Sequence, residues 1–318
     1  MTDTVLITGG LGFIGGRLCE RLLREGWRNI RLTTSRPLDE VPKWARSLDV
    51  HHINFAIARN DDYQQLVTGT ETVIHLAALN AQQCADDPAM AIRVNIGATQ
   101  ALVTAASRAD AKRFVFVSTA HVYGAPLMGH LDETALPHPG HPYAWSNRAA
   151  EDLVLCEQTM DVTVLRLSNG IGAPMDKSAN CWMLSGPDFC RQAIEGGEIV
   201  LRGDGQEQRD FLPLEDVTGA ICRLISRPTL AGRAELFNLG SGSSLSIYDL
   251  ARQVAARAEL RTGNSVVVAR KEPAPGERAP SLHYDCRRLA EAGFVPSASL
   301  DDEIDRLLEL CLSNPHHS

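Results

Sequence analysis

The sequence has no basic cluster, no paired cysteine motif and no long apolar run. Each absence removes a class of function. Net charge is −8, from 31 Lys and Arg against 39 Asp and Glu. A chain of that sign without a basic patch is poorly suited to nucleic acid or an anionic membrane. No apolar stretch is long enough to cross a bilayer. The N-terminus runs directly into a strand pattern, which predicts neither signal peptide nor anchor. The eight cysteines (Cys19, Cys84, Cys156, Cys181, Cys190, Cys222, Cys286 and Cys311) include no C-x-x-C pair, and several fall on apolar helical faces. They read as small buried hydrophobes in a reducing cytoplasm. Neither these cysteines nor the ten histidines show metal-ligand spacing, so no metal is expected. What remains is an ordinary globular composition over 318 residues, enough for one large core or two lobes.

The most informative stretch is Thr8-Gly9-Gly10-Leu11-Gly12-Phe13-Ile14-Gly15. Val5-Leu6-Ile7 before it reads as a short buried strand, and Gly12 to Gly26 reads as a helix with Phe13, Ile14, Leu18, Leu22 and Leu23 on one side. Strand, glycine turn and helix together bind the pyrophosphate of a dinucleotide: the turn is tight, and the helix N-terminus offers free N–H groups. Both Gly10-x-Gly12-x-x-Gly15 and Gly9-x-x-Gly12-x-x-Gly15 are present.

Further strands are expected at Asn29–Thr34, Val50–Phe55, Thr72–Leu76, Phe114–Ser118 and Val162–Leu167, with long helices at Asp87–Arg108 and Tyr143–Thr159. Strands alternating with helices predict an α/β fold, a Rossmann-type doubly wound parallel sheet. After the second strand an NAD site carries an acid on the ribose, but here the chain reads Thr33-Thr34-Ser35-Arg36. Arg36 suits a 2′-phosphate, so NADP is favoured with NAD left open; the plainer alternatives are a solvated Arg36, or Asp39 and Glu40 serving slightly late. Asn54 is placed to reach the adenine edge, and Ala77 and Ala78 let backbone run close to the cofactor. Beyond Asn169 the alternation ends. A Gly-, Pro- and Ser-rich loop is expected over Gly170–Pro187, and then helices near Pro187–Gly196, Leu214–Ile225 and Ser246–Ala258, with strands at Glu235–Leu239 and Val266–Ala269. The expected division is a nucleotide domain over 1–169, with parts of 214–240 returning to it, and a smaller α/β substrate lobe over 170–318.

A set of motifs in one order gives the pattern a family likeness. They are Thr8-Gly-Gly-x-Gly-Phe-Ile-Gly15, His75-Leu-Ala-Ala78, Asn95-Ile-Gly97, Ser118-Thr-Ala-His-Val-Tyr-Gly124 and Tyr143-x-x-Ser146. Leu165-Arg-x-x-Asn169, Gly203-Asp-Gly-x-x-x-Arg-Asp-Phe211, Phe237-Asn-Leu-Gly240 and Pro275-Gly-Glu-x-Arg278 follow. The chain resembles an extended short-chain dehydrogenase/reductase of the NAD-dependent epimerase/dehydratase family, whose members act on nucleotide sugars. The resemblance implies that Tyr143 moves a proton at a sugar hydroxyl while hydride passes at the same carbon, and that Thr119 hydrogen-bonds that oxygen. It implies cofactor contacts from Gly9, Gly12, Phe13, Ile14, Gly15, Ser35, Arg36, Asn54, Phe55, Leu76, Ala77, Ala78, Asn95, Tyr143 and Leu167. It also implies a diphosphate clamp of Arg209 and Arg278 with Asn169 beside it, and a homodimer. For Arg209 the plain alternative is a surface ion pair, for example with Asp210.

The chain departs from the family in two places. Asn147 stands where the family has the lysine that grips the ribose and lowers the tyrosine pKa. A phenol at its ordinary pKa is only about 0.1% ionised at neutral pH, a poor base. Ala120 and His121 stand where the sugar dehydratases carry an Asp-Glu pair, which weakens the 4,6-dehydratase reading. Three readings remain: a reductase in which Tyr143 starts as the acid, an enzyme that recruits His121 for proton transfer, or a cofactor-binding protein without turnover. The reading taken is an NAD(P)-dependent oxidoreductase or epimerase of a nucleotide-diphosphate sugar, leaning to 4-ketoreduction. A reductase of non-sugar ketones is the remaining alternative.

Overall fold

In the computed structural model, which describes residues 3–273 and 280–313, the buried run Val5–Thr8 forms β1, and Phe13–Arg24 forms α1. Next come β2 (Ile30–Thr34), β3 (Asp49–His52), α2 (Asn60–Val67) and β4 (Thr72–His75). A short α3 (Ala81–Asp86) is followed by α4 (Pro88–Ala91), a wide π turn (Ile92–Ala98) and α5 (Thr99–Arg108). β5 (Arg113–Thr119), β6 (Gly129–Leu131), α6 (Pro142–Leu155) and β7 (Asp161–Leu167) follow. The remainder holds β8 (Asn169–Ile171), α7 (Ser185–Gly196), β9 (Glu198–Val200), β10 (Gln208–Pro213), α8 (Leu214–Ile225), β11 (Ala234–Leu239) and β12 (Ser244–Ser246). Last come α9 (Ile247–Thr262), β13 (Val267–Ala269), β14 (Leu282–Tyr284), α10 (Arg287–Glu291) and α11 (Leu300–Leu312).

Seven strands form one parallel sheet in the order β11-β7-β5-β4-β1-β2-β3. This is the doubly wound arrangement, with its switch point between β1 and β4, where a crevice opens at the carboxyl ends of the strands. Helices cover both faces, so the central strands β1, β4, β5 and β7 are buried along nearly their whole length instead of alternating. Leu18 and Leu22 of α1 with Val217 and Ile221 of α8 cover one face. Leu66 of α2, Leu102 of α5 and Val154 of α6 cover the other.

A second core joins Phe189, Ile199, Leu250, Val254, Ile304 and Leu307, from α7, β9, α9 and α11. It is tied to the sheet by one buried ion pair. Arg17 of α1 donates to both carboxylate oxygens of Glu303 on α11, at 2.9 and 2.8 Å, and to the Ala173 carbonyl at 3.0 Å. Removing one partner of such a pair leaves a buried charge and costs about 3–5 kcal/mol.

Several expected boundaries move. The third strand stops at His52 rather than Phe55, because the Asn54 side chain turns the chain by accepting the Ala56 N–H at 3.0 Å. The helix expected to reach Thr159 ends at Leu155, where the Glu157 carboxylate takes the N–H groups of Gln158 and Thr159. The helix expected over Asp87–Arg108 is capped by the Asp87 side chain but widens at Ile92–Ala98. The expected 170–187 loop contains most of β8, and α7 already starts at Ser185. β6, β9, β10, β12 and β14 carried no recognisable strand pattern; all but β10 are three residues long.

Candidate active site

The cofactor end is built by backbone. Gly9 sits at φ +66°, and a Cβ there would lie 3.2 Å from the Ala77 nitrogen. A Cβ on Gly15 would lie 2.3 Å from the Gly9 carbonyl, so α1 can start this close to β1 only with glycine. Gly12 caps α1 without any side-chain cap, and the first turn has no acid. The N–H groups at Phe13, Ile14 and Gly15 are left for an anion. An uncapped helix start against a bare glycine turn fits a dinucleotide pyrophosphate.

Hydroxyls hold the neighbouring strand ends. The Thr8 hydroxyl accepts the N–H groups of Leu76 and Ala77 at 3.1 and 3.2 Å, and it lies 2.7 Å from His75 Nδ1. Its own hydrogen therefore points to Nδ1, leaving His75 Nε2–H to donate to Thr99 Oγ1 at 3.0 Å. Thr99 passes its hydrogen to the Asn95 carbonyl at 2.6 Å. Every hydrogen in this chain has one consistent direction, assigned from the network. Burial pushes the His75 pKa down to about 3, in keeping with a neutral ring.

Asn95 lies in the π turn, a feature often found at functional sites. Its Oδ1 accepts the Leu79 N–H at 2.8 Å and its Nδ2 donates to Ser146 Oγ at 2.9 Å. Ser146 in turn donates to the Tyr143 carbonyl at 3.2 Å. Asn95 thus braces the loop after β4 against the first turn of α6. That turn begins with Pro142 and is capped by His141 Nδ1, which accepts the Tyr143 N–H at 3.2 Å.

Tyr143 and Thr119 are brought together. Burial raises the Tyr143 phenol above the ordinary tyrosine value, and a hydrogen bond with the Thr119 side chain partly opposes this. The phenol is therefore neutral near pH 7. Asn147 is buried and folds back along its own helix, its Nδ2 donating to the Tyr143 carbonyl at 2.8 Å. It adds no charge and spends one amide hydrogen on the backbone. Thr119 Oγ1 also accepts the His121 N–H at 3.2 Å. The His121 ring has its pKa lowered by burial and then by Arg209, with Glu207 opposing and His141 adding to the depression. It is uncharged near neutrality and lies within the fields of Arg209 and Glu207.

Beneath the phenol lies a network the sequence did not reveal. Glu151, fully buried two turns after Tyr143, accepts Ser118 Oγ at 2.6 Å and Arg166 Nη2 at 2.7 Å. The Arg166 guanidinium lies 4.6 Å from the Tyr123 ring centroid. Tyr123 donates to Asn238 Oδ1 at 2.7 Å, and Tyr284 donates to the Arg166 carbonyl at 2.6 Å. These partners come from β5, α6, β7, β11 and β14, so no local spacing could have signalled them.

The other expected residues fall as follows. Leu167 is opposite Thr119 in the β5–β7 register. Ser35 and Arg36 follow β2, with Ser35 exposed; the Arg36 guanidinium bonds Ser178 and makes no ion pair among the described residues. Leu76, Ala77 and Ala78 follow β4, with Ala78 open. Asn54 spends its oxygen on the turn, as described above. Phe55 is partly packed in the core, its ring centroid 5.9 Å from that of Tyr63. Asn169 donates to the Asp210 carbonyl at 2.9 Å, linking β8 to β10. Arg209 pairs with Glu207 at 3.1 and 3.2 Å and not with Asp210. The Asp210 carboxylate instead takes Ser168 and Ser241. Arg278 lies outside the described residues.

Residues 5–240 match the model of the NAD dependent epimerase/dehydratase family. A dTDP-glucose 4,6-dehydratase of Streptomyces niveus is 31% identical over 264 residues, covering 79% of this chain and 76% of that protein. Among solved structures, MoeE5 in complex with UDP-glucuronic acid and NAD superposes with a TM-score of 0.78 at 26% identity, covering 98% and 99% of the two chains. RMD from Pseudomonas aeruginosa complexed with NADPH gives 0.74 at 25% identity, covering 98% and 99%.

Proposed function

This chain belongs to the NAD dependent epimerase/dehydratase family, and from that premise we propose that it reduces a keto group on the sugar of a nucleotide diphosphate sugar, with NADPH as reductant. The observation that carries the reading is a neutral phenol at Tyr143 beside Thr119, with no cation at Asn147 to ionise it. A neutral phenol can donate a proton but cannot accept one, which suits reduction. Residues 120 and 121, Ala and His, supply no carboxylic acid for eliminating water.

When bound, the nicotinamide would supply the hydride at the carbonyl carbon. The work of the chain's own residues follows. The α1 N-terminus holds pyrophosphate, and Arg36, a cation without a carboxylate partner among the described residues, suits a 2′-phosphate. Thr119 steadies the substrate oxygen while Tyr143 gives it a proton. Arg209 offers its fork to a phosphate once Glu207 releases it. RMD was solved with NADPH and MoeE5 with NAD, so both dinucleotides occur among the structural relatives.

The test is to mix the protein with NADPH and a panel of 4-keto nucleotide sugars. Absorbance of the reduced nicotinamide falls with at least one substrate. If it holds steady across the panel while NADPH binds, catalytic reduction is wrong and binding without turnover takes its place.

A further inference from the structure

β6 and β14 pair in parallel, with His130 directly opposite His283. On β14, Leu282 and Tyr284 point into the core with Tyr123 and Leu127, so His283 and Asp285 fall on the other face. Strand alternation does the same on β6 and places Asp132 beside His130. The ribbon therefore carries two His-x-Asp sequences, His130-Leu-Asp132 and His283-Tyr-Asp285, side by side on one face.

The geometry is already close. The two imidazole rings stack at 4.9 Å with 25° between their planes. His130 Nε2 lies 3.3 Å from Asp285 Oδ2 and 3.9 Å from Asp132 Oδ2. One ligand atom from each of His130, His283 and Asp285 falls within 4.8 Å of the others. Ligands of a tetrahedral zinc ion at 2.0–2.1 Å lie about 3.3 Å apart, a distance that rotation of two exposed rings can supply. Asp285 is buried and its Oδ1 accepts the Arg287 backbone N–H at 2.9 Å, so its carboxylate is the fixed point of the set.

We propose that His130, His283 and Asp285, with Asp132 as fourth ligand, bind a divalent zinc-type ion that clips β6 to β14. Two imidazoles select zinc, cobalt or nickel over magnesium or calcium. Asp132 keeps its Oδ1 on Thr134 and Ala135 and leaves Oδ2 for the metal. Arg287 now occupies Asp285, at 2.7–3.1 Å, but its side chain is 79% exposed and can swing away. A three-residue two-stranded ribbon is marginal by itself, so a clip here has something to stabilise. It also reaches the active-site floor, since the Leu131 carbonyl accepts Asn238 Nδ2 at 2.9 Å and Asn238 holds Tyr123.

The test titrates metal-stripped full chain with Zn²⁺ and with Co²⁺, whose absorption reports tetrahedral coordination, and follows Tm. The parent binds one ion with a cobalt band and a higher Tm. His130→Ala and His283→Ala, both at exposed positions, keep the fold and lose both signals. Their loss exceeds the roughly 10–100-fold that removing an outer-shell partner costs. Arg287→Ala frees Asp285 and binds more tightly. His316 and His317 are present in every variant, so binding by the tail cancels. Equal binding by the parent and the His130→Ala/His283→Ala double variant, or unchanged affinity in Arg287→Ala, overturns the site.

Discussion

The two sides of the cleft are prepared differently. On the proposed cofactor side no carboxylate stands in the way: α1 starts uncapped, and Arg36, bonded to Ser178, makes no ion pair among the described residues. On the proposed substrate side the groups are already engaged. Arg209 is held at both ends of its fork by Glu207, and Asn169 is spent on the Asp210 carbonyl. On the proposed reading a dinucleotide phosphate replaces the neutral Ser178 partner of Arg36, whereas a sugar diphosphate must first displace a carboxylate from Arg209. Between the two sides stands Tyr143, whose proton is set by burial instead of by a neighbouring charge.

Five substitutions sharpen or break that contrast. Tyr143→Phe removes the acid; turnover falls by roughly 10²–10⁴-fold, far more than NADPH affinity falls. Retained turnover would move the chemistry elsewhere. Glu151→Gln strikes the floor beneath both sides by leaving Arg166 charged and buried, and urea unfolding should show a loss of about 3–5 kcal/mol. Arg36→Ala weakens the cofactor side alone: removing charged hydrogen bonds worth about 1.5–3 kcal/mol raises KM for NADPH and leaves that for NADH untouched.

Asn147→Lys restores a cation beside the phenol. In the parent, burial raises the phenol pKa, so the acid form survives past the ordinary value of about 10 and reduction declines only above it. With lysine present that alkaline decline begins at lower pH, because a nearby cation favours the phenolate. An unmoved pH–rate profile would show that another group supplies the proton. Glu207→Gln has the smallest effect. The pair is partly exposed, so releasing Arg209 is worth at most about 1 kcal/mol, read as a modest fall in KM for the nucleotide sugar with NADPH kinetics unaltered. A rise instead would mean that Glu207 aims the fork and does not compete for it.

Legibility followed sequence distance. The glycine turn at Gly9, Gly12 and Gly15 was readable because strand, turn and helix are contiguous, and the meeting of Thr119 with Tyr143 because each lies in a short motif. Asn54 illustrates where reading stops: an asparagine at a strand end serves a ligand or its own turn equally well, and here its oxygen takes the turn. Glu151 has no signal in its own stretch of sequence, since Arg166 arrives only when α6 packs against β7. His130 and His283 are separated by most of the C-terminal lobe, and their shared His-x-Asp pattern has meaning only once β6 and β14 lie side by side.

The chain's local order alone determined the doubly wound sheet, the dinucleotide turn and the absence of lysine at position 147, because each depends on residues close enough in sequence to constrain one another's backbone. Folding alone decided that Asn147 turns back onto its helix, that Arg209 is held by Glu207, and that a buried Glu151–Arg166 pair holds Ser118 at the carboxyl end of β5. Those outcomes rest on burial and on partners from separate elements. Desolvation and ion pairing are properties of the packed interior, which no stretch of sequence contains by itself.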